Sequence, residues 1–355
     1  MSTDAGTGIG TSAEERESIR DSPSDEHSDR PIGAIARELN ALPVVNRLRL
    51  ERENFRSIGL ALLVWILGLG ILIEFVVPGF SEGSVGTVLG LPPVLGMAPI
   101  VVLAAFVFET LDSASGMGFG ATIGSLLLIL GFDPLAVTPV LLLSEAATGI
   151  TSGFFHNEFK NVEFGFGSES ARETTRALGL IVGLGVAAVV LSVVLAYFAI
   201  EVSGVFVQIY IGGVIVLIGV TTIVKKYVDP ASEYRPRRLI GFAILAGLNK
   251  GITGSGYGPV LTLGEILSGV YEKSATAITS MAEGIVSLAG IAAFFGITAI
   301  GIELNLVLLP SVFAGGFLAA IFSPYTVRVL PNKILQYLVP SYALVLAAVL
   351  FAQLL

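Results

Sequence analysis

The chain has 355 residues, of which 54% are hydrophobic and 14% charged, with a mean hydropathy of +0.84 and a formal net charge of −8. A soluble domain is nearer a quarter charged, so this composition excludes an ordinary globular protein and leaves a polytopic membrane protein. With no cysteine and only His27 and His156 as histidines, disulfide frameworks, thiolate centres and most imidazole metal sites are excluded, and the acidic balance argues against nucleic acid. No cofactor and no metal is expected.

The first 56 residues stand apart. Residues 1–30 carry eight acids against Arg16, Arg20 and Arg30, with few apolar residues. Such a stretch buries too little surface to offset its chain entropy and reads as a disordered acidic tail. Residues 34–56 mix Leu39, Leu42, Val45, Leu48 and Leu50 with Arg37, Arg47, Arg49, Arg52 and Arg56. That pattern suits a basic juxtamembrane segment that orients the chain, or an amphipathic segment on the membrane surface.

Apolar segments follow at 57–77, 95–111, 117–131, 134–155, 176–200, 204–225, 238–249, 258–268, 273–296, 304–323 and 334–354. The pieces at 117–131, 238–249 and 258–268 are short for a span of about 20 residues and are bounded by glycine turns. Eight of the twenty Lys and Arg precede residue 57, and others cluster at 160–176 and 225–238, while the links 78–94, 201–203 and 297–303 have none. Counting the basic loops as cytoplasmic places the N-terminus inside and sends helix 57–77 outward. The units 95–131 and 238–268 then each return to their own side of the membrane, from opposite sides.

Adding 138 to a residue number maps the first unit onto the second without a gap. Ser115-Gly116-Met117-Gly118-Phe119-Gly120 falls on Thr253-Gly254-Ser255-Gly256-Tyr257-Gly258, Gly131 on Gly269, Thr138 on Thr276 and Glu145 on Glu283. The expected fold is all-α: two inverted repeats, 95–226 and 237–354, each a broken-helix re-entrant hairpin plus three transmembrane helices, with 57–77 as one extra N-terminal transmembrane helix. Inverted repeats with broken helices are an architecture of secondary transporters, with the binding site where the breaks meet.

The hairpin tips have a chemical rationale. An irregular turn inside a membrane must be buried in protein or line a wet cavity. The helix that resumes after each tip presents free N–H groups and a positive dipole end, a setting for a small anion. The candidate substrate-binding residues are Ser115, Gly116, Gly118, Gly120, Lys250, Thr253, Gly254, Ser255, Gly256 and Gly258. The plain alternative is close helix packing by small residues.

Ionisable groups within the apolar segments form a second set. Glu145 and Thr148 share a helix face after the first hairpin, with Ser152 below; Thr276, Ser280, Glu283 and Ser287 repeat that stripe after the second. Asp112 and Lys250 occupy equivalent positions at the 138 offset and could pair, or Lys250 could receive the anion. Glu109, Asp112, Glu145, Thr148, Glu283 and Ser287 are therefore candidates for coupling or gating, with protonation of Glu145 and Glu283 helping the switch between states. His156 is expected at the interface, and Glu74 and Glu265 have no evident partner.

The stretches Glu109–Gly120, Leu143-Ser144-Glu145, Gly153-Phe154-Phe155-His156, Asn249–Pro259 and Thr279–Gly284 resemble the sulfite exporter TauE/SafE family of membrane permeases. The resemblance covers about residues 95–354. Family members usually carry a denser glycine run in each hairpin; here Met117, Phe119, Ser255 and Tyr257 interrupt it. The resemblance implies transport of small, often sulfur-containing anions such as sulfite or sulfonates, often outward. Two other active readings compete, beside a non-transporting membrane scaffold. A cation/proton exchanger would use the intramembrane acids. An intramembrane serine protease would use Gly254-Ser255-Gly256, but a serine nucleophile needs a base in reach, and only Lys250 or the distant His156 could serve. A transporter, not an enzyme, is the expectation, in a cell membrane with lipid and a small anion as its partners.

Overall fold

The computed structural model describes residues 32–76, 88–116, 119–132, 134–199, 234–298 and 305–329, with helical positions scattered through 206–223 and 344–352. The acidic tail, Gly118, the charged loop before residue 234, and most of the expected crossings at 204–225 and 334–354 lie outside the described residues.

Among those residues the fold is helical, and extended pairing is limited to two isolated bridges, Val88–Leu91 and Val94–Met97. The helices are α1 (Ala34–Ala41), α2 (Val44–Arg47), α3 (Arg52–Ile71), α4 (Pro99–Ser115), α5 (Phe119–Ile129), α6 (Pro134–Glu158), α7 (Glu169–Val193), α8 (Pro236–Thr253), α9 (Tyr257–Leu267), α10 (Glu272–Thr298) and α11 (Leu309–Val329). The chain continues past α3 and α7 in π-helical turns at Leu72–Val76 and Val194–Ala199. Among the described residues, four helices are long and apolar enough to cross a membrane: Arg52–Glu74, Glu169–Ala196, Glu272–Gly296 and Leu309–Val329.

Local chemistry sets the helix ends. Pro99 and Pro236 open α4 and α8, where a missing N–H is harmless. The Ser168 hydroxyl accepts from Ala171 N at 3.0 Å and caps α7. Glu51 and Asn54 form a reciprocal cap at the start of α3. Gly116 and Gly254 close α4 and α8, both at φ 69° in the left-handed region that a side chain resists.

The 138-residue offset extends to these boundaries. Both ends of α5 map onto both ends of α9, and the start of α6 maps onto the start of α10. Past the short helices, Phe132 N donates to Leu127 O and Val270 N to Glu265 O, each at 3.0 Å. The packing is reciprocal too: α4 lies on α11 while α8 lies on α7, and α6 crosses α10. At that crossing a Cβ on Gly149 would fall 2.7 Å from Ser280 O and from Gly284 N, so two glycines let the backbones touch.

The extra helix α3 rests on α11. The Trp65 indole N–H donates to Ala314 O at 3.0 Å, and Trp65, Ile58 and Leu69 pack on Phe155, Phe313 and Phe317. The preceding segment does more than carry orienting charge. Ile32, Ala36 and Leu39 are buried, and Arg37 stacks on Tyr271, its guanidinium 6.0 Å from the ring centroid. Arg328, on α11, donates Nε to Arg47 O at 2.8 Å and Nη2 to Arg49 O at 3.0 Å, and Tyr325 OH donates to Leu48 O at 2.9 Å. Residues 32–39 thus pack at one end of the bundle, while 40–49 are largely exposed and are held there by backbone contacts to Tyr325 and Arg328. The local pattern showed leucines and arginines without showing the surface that receives them.

Candidate functional site

The half-helices are short. At 1.5 Å per residue, α4 and α8 span about 25 Å and α5 and α9 about 17 Å, each shorter than the roughly 30 Å of a membrane hydrocarbon core. The two turns meet. A Cβ on Gly258 would lie 2.7 Å from Gly116 O, and one on Gly120 would lie 3.1 Å from Ser255 Cβ. The flanking helices close the contact crosswise: a Cβ on Gly116 would lie 3.1 Å from Thr276 Cα, and one on Gly254 3.1 Å from Thr138 Cα. Gly116, Gly120, Gly254 and Gly258 are therefore needed for close approach, because a side chain at any of them would separate the tips.

Lys250 lies one turn before Gly254 and is fully buried. Its ammonium donates to Glu145 Oε2 and to Glu283 Oε1, the latter at 2.7 Å. Lys250, which the offset offered either as a partner of Asp112 or as the cation for an anion, makes these two bridges, with Asp112 and Glu109 within electrostatic reach of the ammonium. The reason is positional. Glu145 on α6 and Glu283 on α10 approach the tips from both sides of the α6–α10 crossing, and each lies beside a tip glycine, Gly120 and Gly258 respectively. The buried lysine uses two of its three donors on two buried carboxylates, which, when both are ionised, overcompensate its charge. Glu145 Oε1 has no hydrogen-bond partner among the described residues, and neither do the buried hydroxyls of Ser144 and Ser152 on the same helix.

Other predicted residues are occupied locally. Ser115 Oγ donates to Leu111 O at 2.7 Å, and Ser287 Oγ to Glu283 O at 2.7 Å. Thr253 Oγ1 accepts from Ser255 N at 3.1 Å and lies 2.9 Å from Ser255 Oγ, so that turn amide is already engaged. The N-cap residue of α9 is Gly256, which has no side chain to cap the helix's first N–H groups. Glu109 accepts from Ser113 Oγ at 2.7 Å, and the Thr148 hydroxyl faces it.

His156, expected at the interface, lies in the last turn of α6 with its side chain enclosed by protein. It is fully buried; Nε2 lies 3.0 Å from Ser113 O, and Nδ1 lies 3.0 Å from Asn161 Nδ2. Since the Ser113 carbonyl can only accept and the Asn161 amide nitrogen can only donate, the ring is neutral with its proton on Nε2. His156 thereby ties the end of α4 to α6. Its position near a helix end and beside polar residues read as surface; the loop that folds Asn161 over it decides otherwise. Tyr210, whose hydroxyl donates to Asn249 Oδ1, was also missed, since nothing in its sequence surroundings points to α8.

Glycine-broken hairpins that touch at their tips, with a buried lysine–carboxylate cluster at the junction, are features of a membrane permease. A model of the sulfite exporter TauE/SafE family matches residues 100–350, and the chain belongs to that family. It is also similar to the probable membrane transporter protein YtnM of Bacillus subtilis (strain 168), with 24% identity over 265 residues, covering 71% of this chain and 82% of that protein.

Proposed function

We propose that this permease is a secondary transporter that moves a small sulfur-containing anion, such as sulfite or an organosulfonate, outward across the cell membrane. The two hairpin units are read as inverted repeats of a re-entrant hairpin and three crossings each, with the N-terminus inside. The observation that carries the proposal is Lys250, a buried cation at the junction of the two tips, shared by carboxylates from equivalent positions in the two units. The family's name supports the sulfur-containing substrate.

Charge sets the mechanism. An anion joining Lys250 while both carboxylates remain ionised would add a third negative charge to one positive. The anion therefore displaces Glu145 or Glu283 from the ammonium, and the uncapped start of α9 and the tip glycines receive its remaining oxygens. Because the two acids belong to different units, releasing one or the other opens the site to one or the other side. In this conformation both are paired with the ammonium; the acid that the anion displaces loses that partner, and its protonation helps the switch between states.

Flux in proteoliposomes against sulfite, thiosulfate, alkylsulfonates, carboxylates and chloride tests the proposal. Saturable transport of the sulfur oxyanions, lost in Lys250→Met, is the expected result; uniform leak of all five, unchanged in that variant, overturns it. One observation favours a cation/proton exchanger: Glu109, Asp112, Glu145, Glu265 and Glu283 are all buried around the hairpins against Lys250. Flux that depends on Na⁺ with no anion selectivity selects that reading.

A further inference from the structure

Glu265, on α9, makes no hydrogen bond with the Lys250 cluster. It is fully buried, its Oε2 lies 2.9 Å from Thr279 Oγ1, and its Oε1 has no hydrogen-bond partner among the described residues. Thr279 Oγ1 lies 3.0 Å from Thr262 Oγ1, which lies 2.7 Å from Gly116 O, the carbonyl at the tip of the first hairpin. This chain of contacts can be counted in protons. Gly116 O can only accept, and each threonine hydroxyl has one hydrogen to give. If Thr262 gives its hydrogen to Gly116 O, the shortest contact, then Thr279 must give to Thr262. Glu265 must then give to Thr279, which requires a protonated carboxyl. If Glu265 is ionised, it takes the Thr279 hydrogen, and Thr262 then has one hydrogen to divide between Thr279 Oγ1 and Gly116 O, which weakens its hold on Gly116 O.

We propose that Glu265 is a proton-binding site whose occupancy sets the tether between α9 and the tip of the first hairpin. The comparison between the two units supports a functional role. At the 138-residue offset, Thr262, Glu265 and Thr279 correspond to Gly124, Leu127 and Leu141. There a Cβ on Gly124 would lie 3.0 Å from Leu141 Cδ1, and Leu127 and Leu141 are fully buried. The same place in the other unit is therefore built without a polar side chain, so the architecture does not need the trio. A lone carboxylate in a membrane interior is costly, while a protonated, hydrogen-bonded one is tolerated.

The surrounding charges do not supply a counter-ion. From α8, Lys250 is held by Glu145 and Glu283, and Arg238 donates to Leu267 O at 3.0 Å. From α10 come Glu283 and, at its start, Glu272 and Lys273; from α4 come Glu109 and Asp112. Tyr257 on α9 itself and Tyr234 before α8 are in electrostatic contact with Glu265. Of the described residues, only Thr279 hydrogen-bonds its carboxyl. With the proton bound, Gly116 is held and the tips stay together; with it released, the first tip is freed to move. This consequence for transport rests on the permease reading, whereas the proton on Glu265 does not.

Infrared difference spectra of the full-length protein in lipid, recorded across pH, test the site without any transport. The carbonyl stretch of a protonated carboxylic acid is expected in wild type, absent in Glu265→Gln, and shifted in Thr279→Val. A triple variant, Thr262→Gly with Glu265→Leu and Thr279→Leu, copies the other unit, is expected to fold, and should also lack the band. A band unchanged in Glu265→Gln and in the triple variant overturns the proposal. Coupling is read as thiosulfate and methanesulfonate flux in proteoliposomes, because neither anion titrates near neutral pH. Glu265→Gln should exchange anion for anion as wild type does and lose the pH dependence of net flux. A wild type with no pH dependence, or a Gln variant that keeps it, overturns the coupling role. Absence of anion flux in every protein counts against the permease substrate and leaves the infrared result to decide the proton site.

Discussion

Gly258 of one hairpin lies against the backbone carbonyl of Gly116 in the other, with no room for even a methyl group: a Cβ on Gly258 would fall 2.7 Å from Gly116 O. The two tips thus touch through main chain, and the junction depends on the absence of side chains. Gly258→Ala should cost about 1–3 kcal/mol by overpacking and abolish transport. Gly254→Ala adds a strained φ of 69° and a contact with Thr138 O at 2.9 Å. Gly179→Ala and Gly241→Ala, where nothing lies within 4 Å, are the controls. They should hold or raise the melting temperature in detergent, since alanine favours a helix over glycine by up to about 1 kcal/mol.

Lys250 should be worth more to the fold than any exposed ion pair. Lys250→Met leaves two buried carboxylates uncompensated, and breaking a buried pair costs about 3–5 kcal/mol. Combining it with Glu145→Gln and Glu283→Gln removes the stranded charge and should recover part of that loss. Thermal unfolding of wild type, Lys250→Met and the triple variant measures this; a triple variant no more stable than Lys250→Met would show that the charges are not what Lys250 balances.

Arg328 should govern the N-terminal segment. Arg328→Gln removes donors from Arg47 O, Arg49 O and Phe159 O, at a cost of about 1–3 kcal/mol for hydrogen bonds to a charged group. The expected readout is faster tryptic cleavage after Arg47 and Arg49. Lys160→Ala removes only the half-exposed pair with Glu51 and should leave cleavage unchanged, since such pairs contribute about 0–1 kcal/mol.

The distribution of basic residues predicts the orientation. The chain has no cysteine, so single cysteines report without background. One at Gly83 should react with an impermeant reagent added outside, and one at Ser232 should not. The reverse pattern would invert the topology and with it the outward direction of transport.

What was legible in the sequence was whatever neighbouring residues decide among themselves. Hydropathy marked the helices, and the repeated glycines at 116 and 254 marked two turns that both adopt φ 69°, because a left-handed residue ending a helix calls for glycine whatever surrounds it. The 138-residue offset was visible for the same reason, since it rests on turn residues and on Glu145 and Glu283. The boundaries of α4 and α8 were drawn short at Leu111 and Asn249, because Asp112 and Lys250 look like chain ends until their buried partners are known.

Only the tertiary structure decided which charges meet. Lys250 and Glu145 are 105 residues apart in the chain, and Asp112 was an equally good partner on paper. The crossing of α6 and α10 at Gly149 and Gly284 brings the two glutamates, and not Asp112, onto the ammonium. Burial of His156 and of residues 32–39 depends likewise on surfaces supplied by distant segments: the loop at Asn161 and the turn at Tyr271. Periodicity and turn chemistry act over a few residues and can be read along the chain, whereas the partner of a buried charge is chosen by helix packing, which depends on the whole bundle at once.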